Sequence, residues 1–157
     1  SCYALKGNYV RYSAIKAAQY VRLKSLTNPL WVEAMVTQIK RQKFFRWHDA
    51  GDIQSMDHLN KIFEVCRLTP DIQHWMPTRE AQFLSQIENP TEDVPQNLII
   101  RMSSHMIDQA AVKFWPWTST VTSKGGASCP APTQNNNCGD CRACWNRDTS
   151  NVSYGKH

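Results

Sequence analysis

Three short apolar runs alternate with two helix-like segments between Phe44 and Met102, and that alternation restricts the fold more than any other feature of the chain. Phe44-Phe45-Arg46-Trp47, Ile72 to Met76 and Leu98 to Met102 read as strands. Between the first two, Leu59, Ile62, Phe63 and Cys66 recur at three- and four-residue steps. Ser55 is placed to cap that helix and Thr69-Pro70 to end it, and Cys66 falls on its buried stripe. Between the second and third runs, Thr78 is placed to cap a helix carrying Phe83, Leu84 and Ile87, and 88–96 is a proline-containing loop. Strand, helix, strand, helix, strand is the signature of βα units. The expected fold is therefore α/β, with βα units forming a partial barrel-like parallel sheet.

Two helices are expected before the first strand. Ala14, Ala17, Ala18 and Val21 mark one over 12–26, and Asn28-Pro29 starts another with Leu30, Ala34, Met35 and Ile39 on one face. After Lys124 the pattern changes to Gly125-Gly126, prolines, Asn135-Asn136-Asn137 and cysteines, with no periodicity until about Asn151. This divides the chain into an α/β part, 1–123, and a cysteine-rich metal-binding C-terminal loop, 124–157, packed on the same body. A chain of 157 residues can bury a core without disulfide staples. It opens Ser1-Cys2-Tyr3 without a methionine, which leaves room for residues upstream.

The tail has too few apolar residues to pack itself, so it must fold around something else. Its cysteines supply that: Cys129-x8-Cys138-x2-Cys141-x2-Cys144, with Pro130 after the first. Two successive x2 steps set three thiolates around one face of a cube, and a remote Cys-Pro supplies the fourth, as in [4Fe–4S] sites. Zinc is the alternative, although structural zinc favours C-x2-C pairs split by a longer loop. Six cysteines without a secretory signal point to a reducing compartment, not to a disulfide scaffold. Trp145, next to Cys144, would shield the centre or fill the core.

In a parallel sheet, chemistry gathers at the carboxyl ends of the strands. Three such ends are polar here: His48, Asp49 and Asp52; Thr78 and Arg79; Ser103, Ser104 and His105. His48, Asp49 and His105 are the candidate catalytic residues. Capping and turn chemistry account equally for Asp52, Ser55 and Thr78. The formal charge of +5 falls to about +3 once four thiolates surround a centre of charge +2. Lys16, Arg22, Lys24, Lys40, Arg41 and Lys43 lie along several predicted helices, which reads as solvated surface. No specific nucleic-acid binding is expected, and no apolar run is long enough to span a membrane.

Cys2-Tyr3-Ala4, Phe45-Arg46-Trp47-His48-Asp49-Ala50-Gly51-Asp52 and Cys138-Gly139-Asp140-Cys141-Arg142-Ala143-Cys144-Trp145 together resemble the gene product 88 family of bacteriophage proteins, over nearly the whole chain. The layout is more distantly similar to radical S-adenosylmethionine enzymes, which have a partial or full βα barrel, an N-terminal three-cysteine motif and a Gly-Gly-Glu segment. That resemblance implies that Cys2 matches the last cysteine of such a motif and serves a second site. It implies that Gly51 and Asp52 bind S-adenosylmethionine, with Asp52 facing the nucleoside's amino group, and that the C-terminal cysteines hold an auxiliary cluster. The first two cysteines of the three-cysteine motif are not in this sequence. The expected function is a phage iron–sulfur protein carrying a [4Fe–4S] cluster, either a radical-enzyme relative or a degenerate descendant, in the cytoplasm of the infected host cell. Its partner would be a small molecule or a protein. The alternative is a zinc-stabilised, non-catalytic module that binds nucleic acid or a host protein, with Trp115, Trp117 and Tyr154 offered for stacking.

Overall fold

A computed structural model describes residues 8–48 and 51–156. The short helix α1 (Asn8–Arg11) leads into α2 (Ser13–Ser25) and α3 (Trp31–Ile39), followed by β1 (Phe44–Arg46), α4 (Met56–Leu68) and β2 (Gln73–Thr78). The single-turn helices α5 (Ala81–Leu84) and α6 (Pro90–Asp93) precede β3 (Leu98–Ser103), β4 (Thr118–Thr122) and β5 (Asn151–Gly155). All neighbouring strands pair in parallel in the order β1-β2-β3-β4-β5, an open half-barrel.

Local chemistry explains the helix starts. Asn28 Oδ1 accepts from the Leu30 amide at 2.9 Å ahead of α3, and Ser55 Oγ accepts from the His58 amide at 3.1 Å at the head of α4. The helix expected after Thr78 is only one turn. Thr78 is the last residue of β2, where its hydroxyl accepts from the Glu80 amide at 3.0 Å and makes a turn instead of a cap. Glu80, which does precede α5, makes no side-chain cap. The loop expected over 88–96 contains the turn α6, with Pro90 at its start.

Registers assign the two faces of the sheet, because side chains alternate along a strand. His74, Met76 and Thr78 share one face with Leu98, Ile100 and Met102. On this face α4 packs: Thr69 Oγ1 meets His74 Nε2 at 2.9 Å, and the Trp47 ring stacks on His74 at 5.9 Å. The core gathers here, with Leu59, Ile62, Val65 and Cys66 fully buried, as the periodicity of α4 requires. The opposite face carries Phe44, Arg46, Trp75, Arg101, Val152 and Tyr154. Right-handed crossovers that step the same way along a sheet share one face. The last connection, between β4 and β5, instead runs across the other, and it is the cysteine-rich segment.

Candidate metal centre and strand-end rim

Arg101 organises the cysteine segment. It is the fourth residue of β3, its relative exposure is 0%, and its guanidinium donates only to backbone carbonyls: Cys144 (3.1 Å), Ala143 (2.7 Å), Asn146 (3.1 Å), Thr149 (2.9 Å) and Thr118 (3.3 Å). Four of these five carbonyls belong to the connection, so a sheet side chain holds the loop by its backbone. Arg147 returns the grip from the loop, donating to the carbonyls of Thr91, Val94, Pro95 and Leu98 at the lower end of β3. Its guanidinium lies 4.5 Å from the Trp117 ring centroid. Trp145 sits edge-on to both Phe44 and Trp75, at 5.5 and 5.2 Å. It is half-buried, so it packs the loop onto the sheet.

Cys144 is the cysteine placed deepest in this arrangement. Its sulfur lies 3.2 Å from the Tyr154 hydroxyl, across β5. Burial pushes its thiol pKa up, the Tyr154 hydroxyl and the Arg101 charge pull it down, and Cys129 and Cys138 add like charge close by. Cys129 is tied to the outer edge of β5 by its amide, which donates to the Ser153 carbonyl at 2.9 Å. The Cys141 amide donates to the Cys138 carbonyl at 3.0 Å, the local curl that an x2 step requires. All four are free thiols, with Cys138 exposed and the other three half-buried. Among the described residues, no three His, Cys, Asp or Glu side chains are gathered in a metal-binding arrangement.

The donors nevertheless suit a thiolate-bound centre in their chemistry. A buried cation without an anion is costly. Among the described residues the ion pair present is Lys61–Asp57, far from Arg101 in the fold. The acidic groups that raise the Arg101 pKa against the lowering effect of burial are Cys144 and Tyr154. A negatively charged thiolate cluster at Cys144 would supply the missing counter-charge.

The rim behaves differently. Asp52 binds the end of β1 to the end of β2: its carboxylate accepts from the Thr78 hydroxyl and from the amides of Ile53 and Arg79, both at 2.8 Å. Both oxygens are engaged in structure. Asp52→Ala is expected to cost about 1–3 kcal/mol in a urea titration. Asp52→Asn keeps an oxygen for Thr78 but opposes an NH2 to the Arg79 amide, so it should fall between. An unchanged midpoint for the alanine variant would show that these bonds do not hold the strand ends.

Gly51 precedes Asp52 with φ +96°, in the left-handed region that glycine enters freely. His48 also has positive φ, 56°, and both ring nitrogens are buried without a hydrogen-bond partner among the described residues. Its pKa is lowered by burial, with Asp52 opposing. The histidine brought to it is His58, with ring centroids 5.6 Å apart, and not His105, which is exposed on the loop after β3. His58 Nδ1 accepts from the Gln54 amide at 3.3 Å, which leaves the proton on Nε2. Asp49 and Cys2 lie outside the described residues. Ser103 meets Ser119 across the β3–β4 pair at 2.9 Å, and Ser104 Oγ donates to the Ala110 carbonyl, so both serve the sheet and its loop.

Trp115 and Trp117 are buried at 3% exposure, donating to the carbonyls of Ile100 and Arg147, so neither is free to stack on a ligand. Tyr154 is turned toward Cys144. Cys66 is a core residue, its thiol pKa pushed up by burial. Sequence reasoning missed Arg101, Arg147 and His58, and offered Tyr154 only for stacking. For Arg101 a signal was present: a lone cation inside the apolar run Leu98 to Met102.

No helix among the described residues is long and apolar enough to cross a membrane. No curated protein and no solved structure matches the chain. The family model described as gene product 88 matches residues 1–147, which takes in all three motifs and the cysteine run. The chain belongs to the gene product 88 family of bacteriophage proteins.

Proposed function

We propose that this phage protein carries a [4Fe–4S] cluster on Cys129, Cys138, Cys141 and Cys144, in the reducing cytoplasm of the infected host cell. The observation that carries the reading is the buried Arg101. Its charge needs an anion, its hydrogen bonds hold the cysteine loop, and the ionisable groups beside it are Cys144 and Tyr154. A second support is the path of the loop. A segment with little apolar surface crosses the sheet face where a barrel's interior would be, and binding free energy at the cysteines would stabilise that path. The Tyr154 hydroxyl is placed to hydrogen-bond a ligating sulfur, which tunes such a centre.

The cysteines can be tested one at a time. Serine at position 129, 138, 141 or 144 is expected to abolish or sharply reduce bound metal and to loosen the tail to proteolysis. Cys66→Ser, in the core, should leave metal content intact. Full occupancy after Cys141→Ser would contradict the ligand assignment. Zinc in place of iron would move the protein to the non-catalytic alternative.

A radical S-adenosylmethionine enzyme is a second reading of the same fold. Its support is the parallel half-barrel with Gly51-Asp52 at the end of β1. Against a direct cofactor contact stands the Asp52 carboxylate, already shared by Thr78 and Arg79. Titration calorimetry with S-adenosylmethionine separates the two cases. Saturable binding that is lost in Asp52→Asn supports the enzyme, and absence of heat places the cluster in a degenerate, non-catalytic relative.

A further inference from the structure

Five of the chain's 18 Lys and Arg, and none of its 13 Asp and Glu, precede Glu33. The thirteen cations that follow are matched by thirteen acids, so the whole net charge of +5 resides in the first 32 residues. Arg11, Lys16, Arg22 and Lys24 stand on α1 and α2. The basic residues are therefore not spread evenly over the molecule, as their positions along several predicted helices suggested.

Helix α2 buries no residue. The chain just beyond its end is attached to the body by Lys61 Nζ, which donates to the Leu26 carbonyl at 2.7 Å, and Ile15, Ala18, Gln19 and Ser25 are half-buried on one side. The other side displays Lys16, Tyr20 and Lys24 at four-residue steps, with Tyr12 at the N-cap four residues ahead of Lys16, all exposed, the tyrosines at 51% and 63%. Four residues advance a helix by about 6 Å and close to one turn, so these side chains form a single slowly drifting stripe. Rings and ammonium groups alternate along it.

Alternating cations and exposed aromatic rings suit a partner with both phosphates and planar bases. A lipid surface is less well served, because an interfacial helix needs an apolar face. The large exposed aliphatic residues of α2, Val21 and Leu23, are two positions apart and point to different sides, and Val21 shares its side only with the small Ala14 and Ala17, which together offer little apolar area. We propose that α2 is a binding element for single-stranded nucleic acid, without sequence preference: Lys16, Lys24 and Arg11 meet phosphates, and Tyr12 and Tyr20 stack on bases. The inference rests on α2 and the two residues just ahead of it, and is independent of what the cysteines bind.

The test is fluorescence anisotropy of a short labelled oligothymidylate titrated with the full chain at several salt concentrations. Wild-type protein should bind with a negative salt slope and prefer the single strand to a duplex of the same length. Lys16→Glu/Lys24→Glu should weaken binding at least tenfold and flatten the slope by about 1.4, from about 0.7 per phosphate contact. Tyr12→Ala/Tyr20→Ala should weaken single-strand binding by roughly fivefold or more per ring and leave duplex binding unchanged. All four positions are exposed, so thermal unfolding should not move. The wild-type comparisons decide the matter even if a variant is unstable. Equal binding to duplex and displacement by polyglutamate as readily as by unlabelled oligonucleotide would overturn the proposal in favour of an acidic protein surface. Binding to vesicles containing phosphatidylserine, with none to the oligonucleotide, would overturn it in favour of a membrane.

Discussion

Replacing Arg101 by methionine is expected to cost about 3 kcal/mol or more of stability, because several buried carbonyls lose a charged donor and each buried group left unsatisfied costs about 1–3 kcal/mol. Methionine matches the length of the side chain but donates nothing, so the carbonyls of Ala143, Cys144, Asn146, Thr149 and Thr118 lose a shared donor. The cysteine loop would then rest on Trp145 and Arg147. Metal content should drop together with stability, since loop position and ligand geometry are one event. Arg101→Lys keeps the charge but not the planar fork and reaches three acceptors at most, so it should recover part of each loss. Urea titration with metal analysis on both variants checks this. Methionine at 101 with wild-type stability and full metal would show that the guanidinium is not the anchor.

Mild acid should destabilise the fold through its buried histidines. His58 and His74 are both held down to a pKa of about 4, each mainly by burial. For His58 the nearby charges of His48 and Lys61 add to the lowering, while Asp57 and Asp52 oppose it. A histidine whose folded pKa is lowered binds its proton more tightly once unfolded. Its neutral form therefore supports the fold fully above about pH 6.5, and that support is lost as pH falls from there toward 4. Between pH 7 and pH 5 each contributes roughly 2 kcal/mol, so the pair accounts for roughly 4. His48, lowered in the same direction, adds to the trend. Urea midpoints at the two pH values should separate accordingly, and His58→Gln/His74→Gln should remove most of the separation. A double variant as acid-sensitive as the wild type would assign the effect to other groups.

The first three strands and the helices α3 and α4 were legible because their apolar residues follow a clear period; Ser55 announces α4 by ordinary capping chemistry, whereas Asn28 and Pro29 form a turn that leads into α3, which begins at Trp31 without a side-chain cap. Strands β4 and β5 were not. Thr118-Ser119-Thr120-Val121-Thr122 is mostly hydroxyl-bearing, and Thr118 and Ser119 are buried only because the rest of the chain covers them. The cysteine spacing declared a chemistry but not a location. That the loop serves as the last crossover, on the face opposite α4, depends on Arg101 and Tyr154 from strands far away in sequence. The rim was half legible: Asp52 and Thr78 do meet, but to tie the loop after β1 to the end of β2, and His48 meets His58 of α4, a pairing across ten residues that no local pattern announces.

The chemistry at the four cysteines separates an iron–sulfur protein from a zinc-held loop. Protein purified without oxygen should be brown, with a broad absorbance near 400 nm and, for each chain, about four iron and about four acid-labile sulfide, the composition of one [4Fe–4S] cluster. On reduction it should give the spectrum of a paramagnetic cluster. A colourless protein containing about one zinc per chain and no labile sulfide would contradict the cluster and leave a zinc-held loop in its place.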